Sequence, residues 1–286
     1  TQYLASHLQL LQGDGSDETA LVLRGDLLPF TGRYVPTQAT TRDLALFEYA
    51  MDRARTALGV ENTAELSVPI SHANDDAVAA AYSIVMNPQS PAETFAQVRE
   101  LLTETEQPLA DRAIAAWALT HNQNDRPLAQ NFIEESTQLP PTELIGMLPW
   151  IGWADIRLAE ASGRPPQLAN FWHILAAKTA SSVTGSTPPT AQFLPTAAFL
   201  ASIATIDVIP TVADQHEYQQ NVCQSLELLD MLVVGENEAK FFPTHPVGGV
   251  RLTLSDERMS IRTQAMAILL LSEALGTMPD TVNGEE

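Results

Sequence analysis

Apolar residues recur every three or four positions along most of this chain, which is the spacing that lines one face of an α-helix. A clear example runs from Leu44 through Met51 to Leu58, with Gly59 as a stop signal directly after it. Comparable stripes predict about ten helices, with centres roughly 16 to 30 residues apart. This spacing is typical of antiparallel helix hairpins joined in series, and it predicts an all-α fold.

Residues at the predicted helix ends refine this pattern. Asn74 is placed to cap the second helix, and Ser90, Pro91 and Glu93 have the order of a capping box that contains a proline. Further along, one long helix is predicted over residues 142–162. The sequence therefore predicts the ends of these helices as well as their existence.

Some segments depart from the one-sided helical pattern. Polar and apolar residues alternate in Thr19–Arg24 and in Val250–Leu254, which predicts a short β ribbon. Residues 1–42 are less regular than the rest, and we expect an N-terminal arm packed on a helical domain of residues 43–286, as one globular unit. Within that domain, the predicted helix over residues 259–275 is apolar nearly all round, so we expect it to be buried on most sides.

The charge of the chain narrows the choice of partners. Its 286 residues include 35 acidic and 15 basic ones, for a net charge of −20. Such a surface repels phosphate backbones and anionic lipid headgroups, so we expect neither nucleic-acid nor membrane-surface binding. We expect a protein partner, and a basic one suits this surface. No run of about 18 apolar residues occurs, so we expect no membrane insertion either.

Cysteine and histidine usage predicts neither a metal nor a cofactor. Cys223 is the only cysteine, which excludes an intrachain disulfide and a thiolate-rich zinc site, and its apolar helical setting predicts a buried, inert thiol. None of the six histidines is paired at the spacing of a local metal motif. Because the chain starts at Thr1, we expect it to be processed or part of a longer protein, secreted or in the envelope rather than cytoplasmic.

The segment PVGGVRLTLSDERMSIRTQAMAILLLSEAL covers residues 246–275. A Gly-Gly-Val-Arg turn is followed by an aspartate, an arginine and an apolar helix that carries a glutamine. This order resembles the closing repeat of α/α-toroid proteins, such as terpenoid cyclases, protein prenyltransferase β-subunits and complement-type thioester domains. The resemblance implies a ring of inner apolar helices that alternate with outer amphipathic ones.

The activities of those families are not implied, because their motifs are missing. The acidic DxDD motif of the cyclases does not occur, and the zinc-binding Asp-x-Cys pair of the prenyltransferases is absent because Asn221 stands two residues before Cys223. The thioester motif GCGEQ is absent as well. The resemblance therefore implies a shape and no reaction.

Two sets of residues are candidates for chemistry on acidic sugars. His216 and Tyr218 would act as base and acid in proton abstraction, as in α/α-fold polysaccharide lyases. Arg251 and Arg262 would neutralise the substrate carboxylate. The net negative charge of the chain argues against a polyanionic substrate unless the field is reversed locally.

Asp155 and three tryptophans are the other candidates. Asp155 interrupts an apolar, aromatic helix, so it must find a partner or shift its pKa, as the buried carboxyl of a glycoside hydrolase does. The structural alternative is a buried Asp–Arg bridge. Trp150, Trp153 and Trp172 are candidates to stack on a ligand, with core packing as the alternative.

Because no catalytic motif is recognisable, we expect a non-catalytic helical interaction or scaffold domain, part of a larger protein. The alternative is a carbohydrate-active α/α-fold enzyme, either a polysaccharide lyase or a glycoside hydrolase. A third hypothesis is a site for an apolar, terpenoid-type ligand inside the ring, which requires a large apolar cavity.

Overall fold

The computed structural model describes residues 24–27, 34–36, 40–59, 76–172, 174–175, 190–204, 212–235, 248–254 and 259–277. These residues form an all-helical architecture with one small β hairpin, as the periodicity predicts. None of the described helices is both long and apolar enough to span a bilayer. The predicted N-terminal arm falls largely outside the described residues, and its boundary at residue 42 lies just inside the first helix.

The helices follow one another with short connections over most of the described chain. In chain order they are α1 (Thr41–Ala57), α2 (Ala77–Met86), α3 (Ala92–Thr103), α4 (Leu109–Leu119), α5 (Arg126–Ser136), α6 (Pro141–Gly146), α7 (Trp150–Ser162), α8 (Leu194–Ile203), α9 (Val212–Leu232) and α10 (Ile261–Thr277). Residues 169–172 are also helical, and a short 3-10 turn precedes α8.

Helix ends are where the sequence-based expectations fail. Asp76, not Asn74, caps α2, and its side chain accepts hydrogen bonds from the amides of the next turn. The capping box is wrong because α3 starts one residue later than predicted, so Pro91 occupies the cap and Ser90 bonds to an earlier carbonyl. The single helix expected over residues 142–162 is two helices, α6 and α7, because Pro149 interrupts it.

Six helices contact one another in a closed order. Helix α1 packs against α2 and α10, α4 packs against α2 and α7, and α8 packs against α10. Helices α7 and α8 meet through the hydrogen bond from Trp153 Nε1 to Ser202 Oγ, at 2.8 Å. Helices α3, α5 and α9 each contact two members of this cycle. The first and the last helix of the cycle are therefore neighbours.

Helix α10 is deeply buried in this cycle. Its six consecutive residues Ala265–Leu270 are all buried, which confirms the expectation for the apolar helix over residues 259–275. Gln264 on this helix pairs with the backbone of Val250 through both amide atoms, at 3.0 and 2.8 Å. The Gly-Gly-Val-Arg turn and the glutamine that follows it along the chain are thus joined in space. Gly248 enters the turn at a φ of 82°, a value that favours glycine.

The predicted ribbon differs from the observed strands. Strand β1 (Arg24–Leu27) pairs with β2 (Tyr34–Pro36) in an antiparallel hairpin. Of Thr19–Arg24, only the last residue is described, and β1 begins there. The Val250–Leu254 segment forms only isolated β-bridges and no strand. Val250 bridges to Val233 directly after α9, and Thr253 bridges to Thr190 directly before the 3-10 turn.

Candidate functional site

Five large aromatic side chains fill the centre of the helix cycle. They come from α1, α2, α4 and α7, and every one is at most 9% exposed. Ring centroids of Trp117 lie 5.0 Å from Tyr49, 5.0 Å from Trp150 and 5.6 Å from Trp153. Tyr82 lies 5.3 Å from Trp150. We call these residues the aromatic cluster; it closes the middle of the cycle with rings in van der Waals contact.

A cavity of about 410 Å³ lies against one side of this cluster. Tyr49, Trp117 and Trp153 form its aromatic wall. Each of the six helices in the cycle contributes lining residues, and five of them do so from the middle or the C-terminal half of the helix. The C-terminal ends of helices carry partial negative charge, so the mouth of the cavity is an electronegative environment.

Charged and polar groups surround the aromatic wall. The guanidinium of Arg53 on α1 binds Glu273 on α10, with its Nη2 at 2.7 Å from the carboxylate oxygen. Asp52 and Glu160 are two further carboxylates in the lining, and the hydroxyl of Ser202 accepts the hydrogen bond from Trp153. The lining therefore offers acceptors and donors beside flat apolar faces.

Arg157 and His121 occupy the side of the cavity formed by α4 and α7. The ring of His121 stands edge-on to Trp117, with the centroids 6.0 Å apart. Burial, together with the nearby charges of Arg157 and Arg126, lowers the pKa of His121 to about 4. The pKa of Arg157 is lowered by burial and by Arg126, and its Nε atom is buried without a hydrogen-bond partner among the described residues.

Asp155, the predicted catalytic candidate, lies outside this cavity. It is 2% exposed, and its two carboxylate oxygens accept hydrogen bonds from the backbone amides of Gln167 and Leu168, both at 2.9 Å. Burial raises its pKa to about 6, although the two amides favour the charged form. The expected Asp–Arg bridge is not what is observed: Asp155 instead anchors the chain segment that precedes the helical residues 169–172.

The three predicted tryptophans are not brought together. Trp150 and Trp153 belong to the aromatic cluster, with centroids 5.2 Å apart, but only Trp153 lines the cavity. Trp172 packs instead against Phe199 of α8, at 5.4 Å, and is buried. Core packing accounts for Trp150 and Trp172, and Trp153 combines a core position with access to the cavity.

The proposed lyase residues are also separated. His216 is exposed on α9, whereas Tyr218 is buried, so the two side chains leave the helix in different directions. Arg251 donates to the carbonyls of Met231 and Leu232 at the end of α9, and Arg262 is exposed on α10. None of the four lines the cavity.

The position of Cys223 differs from the prediction of a buried thiol. Cys223 is exposed rather than buried, because the buried face of α9 follows Tyr218, Val222 and Leu229 and leaves Cys223 beside it. In the part of the chain that the structure describes, no three His, Cys, Asp or Glu side chains are grouped in a way that would hold a metal ion.

Apart from Trp153, sequence patterns missed the residues that line the cavity. Tyr49 and Arg53 lie on α1, His121 follows the end of α4, and Arg157 lies on α7. No local motif connects these distant segments. The one available signal was the position of Tyr49, an aromatic residue on the buried face of α1 with Arg53 one turn later.

Comparisons with known proteins add no family to this description. No protein-family model, no curated protein and no solved structure matches the chain.

Proposed function

We propose that this chain is a non-catalytic helical interaction domain and that the cavity beside the aromatic cluster is its recognition site. The observation that carries the proposal is the cavity itself, about 410 Å³ in volume, which is lined from six helices and combines an aromatic wall with charged groups. Cavities of roughly 300 to 1,000 Å³ with a few convergent polar groups are typical sites for small ligands. A cavity of this size takes a small molecule or one protruding group of a larger partner.

The helix contacts support an α/α toroid as the shape that presents this cavity. In this proposal, the six helices of the cycle form the inner ring, and α3, α5 and α9 belong to the outer ring. The cavity then lies at the end of the ring where C-terminal halves of the inner helices meet. A toroid is expected to have apolar inner helices and amphipathic outer ones. The deep burial of α10 fits an inner helix, but α1 is buried on one side only and is also a member of the cycle. The burial pattern therefore supports the toroid only in part.

The other two hypotheses draw less support from the described residues. The enzyme hypothesis relied on Asp155, His216 and Tyr218, which do not line the cavity. Neither of the histidines whose side chains are described is hydrogen-bonded to a carboxylate, the arrangement that orients a catalytic base. The apolar-ligand hypothesis requires an apolar cavity, whereas this lining contains two arginines and three carboxylates.

A thermal-shift screen with a blocked variant tests the proposal. The ligands are neutral and acidic oligosaccharides, small aromatic acids, isoprenoid lipids, divalent metals and basic peptides, since a ligand that binds only the native state raises the unfolding midpoint. Thr56 lies exposed in the lining, so Thr56→Trp places an indole in the cavity. We expect at least one class to raise the midpoint of the wild type and not that of Thr56→Trp.

Thr103→Trp is the matched control. Thr103 is likewise exposed at the end of a helix, and its hydroxyl donates to the carbonyl four residues earlier at 3.0 Å, as that of Thr56 does. It lies outside the cavity lining, so Thr103→Trp should respond like the wild type. The proposal is overturned if no class shifts the wild type, or if the shift persists in Thr56→Trp.

A further inference from the structure

Arg157 is a charged group in the cavity wall that makes no direct ion pair with a described residue, and the carboxylate of Glu160 acts on its charge only from beyond 4.0 Å. A guanidinium carries five N–H donors and no acceptor. Among the described residues, no hydrogen bond and no ion pair within 4.0 Å involves Arg157, whereas Arg42, Arg53 and Arg99 each bind a carboxylate. Acidic residues outnumber basic ones by 35 to 15 in this chain, so an unpaired arginine is not explained by a shortage of acids.

We infer that the cavity binds a small molecule that carries a flat ring and a single carboxylate, with the carboxylate bound by Arg157 and the ring against Trp117 and Trp153. The inference rests on the proposed function, because it assigns a ligand class to the same cavity. Its first support is the guanidinium, whose planar set of donors matches the two oxygens of a carboxylate.

The like charge of Arg126 adds to the need for an anion. Arg126 donates its Nε to the carbonyl of Thr120 and makes no ion pair with a described residue. Both arginines are partly buried, and each acts electrostatically on His121. A carboxylate beside Arg157 would offset the repulsion between these two partly desolvated cations. Water screens that repulsion less effectively in a partly buried site than in bulk solution.

The remaining lining limits the ligand to one negative charge. Asp52 and Glu160 also line the cavity, and Glu273 is already bound to Arg53. The helix C-terminal ends and the net charge of −20 add further negative potential. A phosphate, which carries close to two negative charges at neutral pH, meets more repulsion here than a carboxylate does.

The aromatic wall accounts for the ring. Trp117 and Trp153 are held at 5.6 Å from each other, and Trp153 is fixed by its hydrogen bond to Ser202. Rigid indole faces bind flat aromatic rings and the apolar faces of sugar rings alike. Aromatic rings and sugar rings would bind the indoles through the same kind of apolar contact, so the experiment includes ligands of both kinds.

Ligand-observed NMR titrations with matched pairs test this inference. Benzoate is compared with benzamide, and glucuronate with glucose, because each pair differs by the charge of one group. Inorganic phosphate is the dianionic probe. We expect benzoate or glucuronate to bind about 10- to 100-fold more tightly than its neutral partner, as hydrogen bonds to a charged acceptor imply. The pair that shows this preference identifies the ring as aromatic or saccharide.

Arg157→Gln should abolish the preference for the charged ligand while the neutral ligand still binds. Arg164→Gln is the matched control. It removes an exposed arginine that lies seven residues later in the chain and outside the cavity lining. If Arg157→Gln does not fold, Arg157→Lys keeps the charge without the planar donors, and we expect a smaller preference than in the wild type.

Three outcomes would overturn the inference: equal binding of charged and neutral partners, a preference that survives in Arg157→Gln, or phosphate bound more tightly than either carboxylate. Binding of benzamide or glucose that Thr56→Trp blocks, without a carboxylate preference, would refute the inference and leave the proposed function standing. Ligand binding that Thr56→Trp does not affect would refute both.

Discussion

At the scale of single residues, the surroundings of His121 oppose a positive charge. The imidazole is partly buried against Trp117, and the positive charges of Arg157 and Arg126 act on it. Its pKa of about 4 in the folded protein lies below the ordinary value of 6.5. The folded state therefore binds fewer protons than the unfolded state between these two pH values, and stability falls as the pH falls through that window.

His121→Gln should remove this loss of stability. Between pH 7 and pH 4, we expect the free energy of unfolding of the wild type to fall by up to about 3 kcal/mol more than that of His121→Gln, and by less than this limit because the ring is partly exposed. Urea unfolding at a series of pH values measures the difference. His216→Gln controls for loss of an exposed imidazole. If the free energies of unfolding of the wild type and His121→Gln change in parallel with pH, the lowered pKa of His121 is contradicted.

Asp155 shows what sequence can and cannot predict for one residue. Its apolar neighbours along α7 correctly predicted that the carboxylate is buried and needs a partner. The expected partner was an arginine, whereas the observed donors are the amides of Gln167 and Leu168. Every residue but proline has such an amide, so nothing in the sequence distinguishes the two that approach Asp155.

At the scale of elements, Gly152 sets the distance between α7 and α8. A Cβ atom at this position would overlap the ring of Phe199, which is fully buried and packs against Trp172. The ring is confined on its other side, so it cannot turn away at low cost. The absence of a side chain at Gly152 thus allows the two helices to meet.

Gly152→Ala should therefore destabilise the protein, although alanine is the better helix former. Overpacking costs about 1 to 3 kcal/mol, which exceeds the gain of up to about 1 kcal/mol from helix propensity. Gly146→Ala, at the exposed end of α6 with no atom within 4 Å of the added Cβ, should be neutral or slightly stabilising. Thermal unfolding compares the two variants. The interpretation fails if Gly152→Ala is as stable as Gly146→Ala.

The existence of the helices was readable from the sequence, and their ends were less so. Apolar stripes report burial over several turns, and α1, α9 and α10 follow them closely. A cap depends on one residue, and Asp76 competes with Asn74 and other nearby polar residues for that position. Pro149 divides the long helix predicted over residues 142–162, because a proline inside a helix removes a backbone hydrogen bond and clashes with the preceding turn.

At the scale of the whole molecule, negative charge accumulates on one compact body. With a net charge of −20, the folded chain repels itself more than the expanded unfolded chain does. Ion pairs such as those of Arg42 with Asp76 and Asp111 offset only part of this electrostatic repulsion, because the chain has too few basic residues. Mobile salt should reduce the remaining repulsion.

We expect the unfolding midpoint to rise when NaCl is increased from about 0.1 M to about 1 M, since the screening length then falls from about 10 Å to about 3 Å. Calorimetry with sucrose at matched osmolality separates this effect from preferential exclusion. A midpoint that falls with NaCl would mean that specific ion pairs stabilise the fold by more than the general repulsion destabilises it.

The candidate site belongs to this scale as well, which explains why the sequence did not predict it. Six helices spread over most of the chain supply its lining, and their order around the cycle decides which side chains meet. Periodicity shows which face of each helix is buried, but it does not show which other helix that face contacts. The cluster of Tyr49, Trp117 and Trp153 appears only once the helices are placed together.

The contact between α1 and α10 has a consequence for biosynthesis. Arg53 and Glu273, which join these helices, are 220 residues apart in the chain. At about 5 to 20 residues per second, the ribosome takes roughly 10 to 40 s to make the stretch between them. During that time the apolar face of α1 has no α10 to cover it. A nascent chain of this protein must therefore be shielded, or stay loosely collapsed, until the helix that completes the cavity wall emerges.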